Sequence, residues 1–163
     1  GFNNNFRYKD FDATVNFTFA GGNKIMNGTR GTLLDQRFYN NSTEVLERWT
    51  TSGQQTDIPR VVYNDVISNG SAGFSISDNA EKADFLRLQQ VVLGYTFRPA
   101  SLARLGLSSV RFYAQASNLF LVTGYTGADP ESSSNGNSNT SIGIEKNSIG
   151  QGHTWSAGLN VSF

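Results

Sequence analysis

The residues with chemical potential are few and widely spaced. His153 is the only histidine and follows Gly152 at the entrance to an alternating segment, so the expectation is a solvent or interface residue rather than a catalytic base. Asp129 and Glu131 flank Pro130 and could offer oxygen to Ca²⁺, yet two carboxylates fall short of the roughly six to eight oxygens that ion takes; a turn is expected. The Asn-x-Ser/Thr triplets at Asn16, Asn27, Asn41, Asn69, Asn139 and Asn160 follow from an abundance of Asn and Ser and are read as chance. Trp49, Tyr63, Tyr125 and Trp155 could stack on a sugar or anchor in an interface. Arg111, Tyr113 and Gln115 alternate along one stretch and so share one face of a strand. No nucleophile, base and orienting group come together, which points to binding or passage rather than catalysis, with no cofactor and no metal.

Composition narrows the class. The 163 residues suit one domain and contain no Cys, so disulfides, thiolate nucleophiles and thiol metal sites are excluded. Thirteen basic and thirteen acidic residues leave no net charge, which argues against a nucleic-acid surface. No apolar run is long enough for a membrane helix, but the strands of a barrel are only half apolar and escape that test. Gly1 is not an initiator Met and no signal peptide follows it, so the expectation is a piece of a longer protein.

The elements that must position these residues are read most clearly at Thr154 to Phe163. Trp155, Ala157, Leu159, Val161 and Phe163 fall on one side of a strand, whereas Ser156, Gly158, Asn160 and Ser162 fall on the other. The apolar row runs to an aromatic at the last position. A tilted strand of about 9–11 residues, apolar outward and polar inward, is what a transmembrane β-barrel requires.

Four more strands are expected. If Lys9-Asp10 is a two-residue turn, positions summing to nineteen lie opposite each other, so Tyr8 meets Phe11, Phe6 meets Ala13 and Phe2 meets Phe17 on the apolar side. Arg7 then faces Asp12 as a cross-strand charge pair, and Asn4 opposite Val15 is the misfit. Phe85 to Phe97 places Val91, Leu93, Tyr95 and Phe97 outward; continuing that row backwards meets Gln89 and Arg87, so the strand should leave the hydrocarbon near Gln89. Pro99 should end pairing, with at most a helical turn over Ser101 to Leu105. Val110 to Val122 places Val110, Phe112, Ala114, Ala116, Phe120 and Val122 outward and Arg111, Tyr113, Gln115 and Ser117 inward.

Residues about 20–84 and 124–152 read as long connections. Asn41 with Glu44 three residues on should cap a short helix through Trp49, and Ser132 to Ser141 is too polar to order itself. Connections thus alternate short, long, short, long. Outer-membrane barrels have short periplasmic turns and longer external loops, which places Lys9-Asp10, Arg98 to Ser109 and Phe163 on the periplasmic side. Five strands cannot close a barrel, for which about eight is the lower limit, so further strands of the same polypeptide are expected.

The run Ala83 to Phe97, ADFLRLQQVVLGYTF, resembles a segment of SusC/RagA-type TonB-dependent outer-membrane transporters of Bacteroidetes. Collinear similarities are Tyr8 to Asp12, Arg48 to Thr50, Ile58 to Arg60, Val110 to Tyr113 with Asn118 to Phe120, Gly124 to Glu131, and Gly158 to Phe163. Gln89-Gln90 departs from the family's usual Arg-Asn, and the stretch after Glu131 is unmatched.

The resemblance implies an all-β, antiparallel, plugged barrel of about 22 strands, of which residues 1–163 would be the last five. It implies TonB-driven import of glycans, oligosaccharides or peptides across the cell outer membrane. The partners would be the rest of the barrel and its plug, a SusD-like surface lipoprotein as lid, outer-membrane lipid, and TonB through an N-terminal part beyond these residues. Trp155, Leu159, Val161 and Phe163 would form a barrel-assembly signal; Arg111, Tyr113 and Gln115 would face the plug or the substrate path; Trp49, Tyr125, Asp129 and Glu131 would meet ligand or lid outside. Two alternatives remain from the sequence, a secreted carbohydrate-binding β-sandwich and a passive porin.

Overall fold

The computed structural model describes residues 1–37, 40–63, 77–98, 102, 106–134 and 142–163. The chain forms two compact units, one of Gly1–Ala20, Phe85–Thr123 and Gln151–Phe163, the other of Gly21–Asp84 and Gly124–Gly150. Pro99, most of the expected turn over Ser101 to Leu105, the triplets at Asn69 and Asn139 and residues 135–141 of the polar tract lie outside the described residues.

The first unit is one antiparallel sheet of five strands. Its members are β1 (Phe2–Tyr8), β2 (Phe11–Ala20), β5 (Phe85–Phe97), β6 (Ser109–Thr123) and β8 (Thr154–Ser162), hydrogen-bonded in that order. The β1–β2 pairing joins Phe2 to Phe17, Phe6 to Ala13 and Tyr8 to Phe11, as the turn at Lys9-Asp10 requires. Lys9 takes a left-handed backbone with φ 53°, a conformation that costs an L-residue about 1–2 kcal/mol. Asp10 offsets that strain by locking the turn to β5. Its carbonyl accepts from the Thr96 amide at 2.8 Å and its carboxylate accepts from Arg98 Nη1 at 2.7 Å.

The expected exit of β5 at Gln89 is corrected by a β-bulge. Asn16 pairs with Gln90 while Phe17 pairs with Leu88, so Gln89 is an extra residue that reverses the alternation. Leu88 and Leu86 thereby join the apolar face opposite Phe17 and Phe19, and Arg87 turns to the polar face, where it is 3% exposed. The strand continues to Phe85 without presenting its arginine to hydrocarbon. A second irregularity answers it on β6, where Asn118 and Leu119 stand between Ser117 and Phe120. Asn118 has φ 56°; its side-chain amide donates to the Gly152 carbonyl at 3.2 Å and its own carbonyl meets the His153 ring. Asparagine tolerates the left-handed region better than most residues, which suits a polar residue to this irregularity.

Coverage of the two faces is the reverse of a soluble sheet. On the central strands Leu93 (57%), Tyr95, Phe97, Phe112 (53%), Phe120 and Val122 are exposed, whereas Arg87 and Gly94 are buried and Asp12, Gln90, Arg111, Tyr113 and Gln115 are half-buried. The sandwich alternative required the apolar rows to bury one another, and they do not.

The second unit contains structure that periodicity alone leaves invisible. Strands β3 (Lys24–Asn27), β4 (Ala80–Lys82) and β7 (Ile144–Glu145) form a small sheet in the order β4-β3-β7, with β3 antiparallel to β4 and parallel to β7. Helix α1 (Gly28–Leu33) follows β3, capped by Asn27, whose side chain accepts from the Arg30 amide at 2.8 Å. The short helix expected from Asn41 is instead a 3-10 helix, Thr43–Glu47, preceded by Ser42 with no side-chain cap. Asn41 is engaged elsewhere, donating to the carbonyls of Leu33 and Asp35 at 2.9 and 2.8 Å. No helix among the described residues is long and apolar enough to cross a membrane, which says nothing about strands.

Candidate functional site

Alternation along four strands brings one row of polar-face residues into line. Asp12 on β2 pairs with Gly94 on β5, Gly94 with Tyr113 on β6, and Tyr113 with Gly158 on β8. The expected charge pair of Arg7 with Asp12 has the right register, but a different arginine takes the carboxylate. Arg111 reaches over β5, its Nε donating to Asp12 Oδ1 at 2.9 Å and its Nη2 to Oδ2 at 2.5 Å. This two-pronged geometry suits a planar guanidinium and the two oxygens of a carboxylate.

Gly94 is what lets the arginine pass. A Cβ there would lie 2.5 Å from both Asp12 carboxylate oxygens, closer than real side chains approach. The same reasoning applies one pair along the row. A Cβ on Gly158 would fall 2.6 Å from Cε1 of Tyr113, so the phenol ring lies across the bare glycine backbone. The Arg111 guanidinium carbon sits 5.4 Å from the Tyr113 ring centroid, within cation–π range. Arg111, Tyr113 and Gln115 therefore share one half-buried face, as their spacing predicted, and the two glycines that hold their side chains flat were not singled out in the sequence. The signal for them was available, since a glycine inside a strand marks a close approach.

The terminal residues lie on the other face. Trp155 (74%), Leu159, Val161 and Phe163 are exposed, forming an uninterrupted apolar row on the edge strand β8. Leu159 pairs with Phe112 and Val161 with Val110, so the row continues the apolar face of β6.

Of the residues expected to meet ligand or lid, two are consumed inside the second unit. Tyr125 is 6% exposed and donates its hydroxyl to Glu145 Oε2 at 3.2 Å. Glu145 is 1% exposed and accepts from the Thr29 hydroxyl at 2.9 Å and the Ser148 amide at 2.8 Å, a set of donors that lets a carboxylate stay buried. Burial beside Glu145 and Glu81 pushes the Tyr125 phenol well above its ordinary range. Asp129 is also buried and accepts from the Glu131 amide at 2.9 Å, the turn that the sequence suggested. These two side chains support the unit from within. Glu131 is exposed, and Trp49 is half-buried with its amide donating to the Ile58 carbonyl at 3.0 Å.

Glu81 closes the second unit from another side. It accepts from Asn27 Nδ2 and the Thr126 amide, both at 2.9 Å, tying β4 and β3 to the stretch after Thr123. Asp35 is gripped by Arg37 through two 3.0 Å bonds that hold its carboxyl below the usual carboxylate range. Among the described residues no three His, Asp or Glu side chains gather as a metal site.

Comparison with known proteins agrees with this arrangement. No family model matches the sequence. The chain is 32% identical over its whole length to TonB-dependent receptor P3 of Formosa agariphila and 28% identical to TonB-dependent receptor P26 of the same organism. It covers 16% of the length of each of these relatives. Among solved structures, the RagAB peptide importer in its closed-closed state superposes with a TM-score of 0.70 at 26% identity, over 96% of this chain and 16% of that one.

Proposed function

Because this chain is a barrel segment of the SusC/RagA-type TonB-dependent transporters, we propose that it forms part of the wall of an active outer-membrane importer. The observation that carries the proposal is the inverted coverage of the sheet, with its apolar face open and its polar face tied together by Arg111, Asp12 and Tyr113. Hydrocarbon satisfies the first face and an enclosed aqueous lumen the second. Import rather than catalysis is the reading, since the polar face offers an ion pair, amides and a phenol but no nucleophile set against a base.

In this reading the turn at Lys9-Asp10 faces the periplasm and residues about 20–84 and 124–152 are external loops. Arg111, Tyr113 and Gln115 contact the plug or the substrate path, and Trp155, Leu159, Val161 and Phe163 are read by the assembly machinery. Trp49, half-buried, and Glu131, exposed, meet a ligand or a SusD-like lid lipoprotein in this reading. Oligopeptides are the first substrate class to test, because the solved relative at 26% identity is a peptide importer; oligosaccharides are the second.

The deciding experiment uses the full transporter in its outer membrane. Uptake of labelled oligopeptides and oligosaccharides is measured with and without TonB, and the transporter is isolated under mild detergent to see whether a surface lipoprotein travels with it. TonB-dependent accumulation of either class supports the proposal. Equal uptake in cells without TonB would instead identify a passive pore.

A further inference from the structure

The apolar face is not uniformly bulky, and its relief has a shape. Ala13, Ala114 and Ala157 fall in one cross-strand row, which also includes Leu93 and ends at Phe6 on β1. The next row toward the Lys9 turn is large, with Phe11, Tyr95 and Phe112 side by side; Phe11 and Tyr95 meet at 4.6 Å between centroids with their planes tilted by 50°. Small residues beside a wall of rings leave an open apolar groove of about 600 Å³.

We propose that this groove seats one glycerophospholipid, an acyl chain lying over the three alanines and the phosphate held by Lys9. The inference rests on the apolar face being in the membrane and goes beyond it by naming a discrete site. Three observations carry it.

The first is length. Five strands spaced by about 4.8 Å give the row a run of about 19 Å, and strands tilted by about 45° incline the row to a similar degree, so it rises about 13 Å. One leaflet of a hydrocarbon core is about 15 Å thick. A groove of that run accommodates a thread of methylenes that bends past Leu93, which stands in the row between Ala13 and Ala114.

The second is charge. Tyr8 lines the groove, and the Lys9 ammonium stands 5.4 Å from the Tyr8 ring centroid, at the turn just beyond the ring row. The neighbouring Asp10 is already occupied by Arg98, and no ion pair among the described residues engages Lys9. An ammonium beside an interfacial tyrosine is suited to a lipid phosphate.

The third separates a lipid from a second copy of this sheet. The apolar rows contain no Asp or Glu, so the same face of another copy offers no acid to Lys9. Lys9 would then be drawn out of water at that contact with no carboxylate opposite to pair it.

The test uses the full transporter purified in detergent, exchanged free of membrane lipid, and titrated with phosphatidylethanolamine or with diacylglycerol of the same chains under native mass spectrometry. The wild type should retain one phospholipid and hold it about tenfold more tightly than diacylglycerol. Filling the groove with the pair Ala114→Phe and Ala157→Phe should abolish that adduct, and Lys9→Glu should remove the preference over diacylglycerol. Heat-modifiable mobility on a gel shows whether each variant still forms a barrel; if the Phe pair does not, Ala114→Val with Ala157→Val replaces it. Undiminished phospholipid on a folded, filled variant overturns the proposal, as does equal affinity of the wild type for the two lipids. Loss of a wild-type dimer in the filled variant, with lipid unchanged, assigns the groove to a second copy. Failure of the wild type to fractionate with membranes would sink the barrel reading itself, a result distinct from all of these.

Discussion

Arg111 and Asp12 are joined across an intervening strand, and the space that permits it is the missing side chain of Gly94. A direct neighbour, Arg7, stands opposite Asp12 in register and acts on its carboxylate through charge, while the hydrogen bonds come from Arg111. The pair thus cross-links β2 to β6 through the polar face, above a β5 that contributes only backbone there.

Gly94→Ala should therefore act as an ion-pair mutation although no charge is changed. The new Cβ must displace the carboxylate or the guanidinium, at a cost of about 1–3 kcal/mol. Expected outcomes are a lower denaturant midpoint of the refolded barrel and little further loss when Arg111→Met is added. Additive losses from the two changes would show that the glycine serves some other purpose.

Much of this sheet was legible because alternation fixes sides. The β1–β2 register, the polar face of β6 and the apolar row from Trp155 to Phe163 all follow from a period of two. What alternation cannot reveal is an inserted residue. Gln89 breaks the period, and the sequence by itself gave no reason to prefer a bulge over a strand that ends; Arg87 is placed only once the register with Phe17 is known. The second unit was opaque for a different reason. Its three strands have four, three and two residues, too short for any period, and its order comes from side chains such as Asn27, Glu81 and Glu145 that meet across long separations. Those same contacts are why Tyr125 and Asp129 turned inward.

Gly158 and Tyr113 form the second glycine and large-residue pair of the row. Gly158→Val should lift the ring from the strand and destabilise the edge strand β8, whereas in a Tyr113→Ala background the same change should be nearly neutral. A double-mutant cycle in urea checks this, with an expected coupling on the order of 1 kcal/mol. Zero coupling would mean that the ring does not use the space over the glycine.

Neighbouring positions on β8 should respond oppositely to charge. Leu159→Arg places a guanidinium toward hydrocarbon, costing roughly 2–4 kcal/mol near the membrane centre, while Asn160→Arg places it on the polar face. The expected result is a marked loss of heat-modifiable barrel for the first and near-normal amounts for the second. Equal tolerance of both would contradict the assignment of faces.

Removal of Phe163 should reduce the amount of folded barrel in the outer membrane more than it reduces the stability of barrel already formed. Its ring is exposed and lies beyond the last paired residues, so little packing is lost when it goes. Pulse-labelled assembly in cells and urea unfolding of the purified barrel separate the two effects. A fall in both by similar amounts would make Phe163 a structural girdle residue rather than an assembly signal.

Tyr125 supplies a pH dependence confined to the second unit. Burial is the main cause of its raised pKa, helped by the nearby carboxylates of Glu145 and Glu81. In the unfolded chain the phenol ionises near its ordinary value of 10.0, whereas in the folded unit it keeps its proton to higher pH. The native state therefore binds more protons than the unfolded state above about pH 10, and stability falls as pH rises through that window. Below it both states are protonated and the contribution is constant. Tyr125→Phe removes the titrating group, so the variant should lose less stability between neutral pH and strongly alkaline pH than the wild type does. Limited proteolysis of the purified transporter, followed across that range and compared with the phenolate absorbance, tests the sign: cleavage within residues 21–84 or 124–150 should begin at lower pH in the wild type. Should the two proteins become susceptible together, the Tyr125 phenol would not be the group that couples this unit to pH.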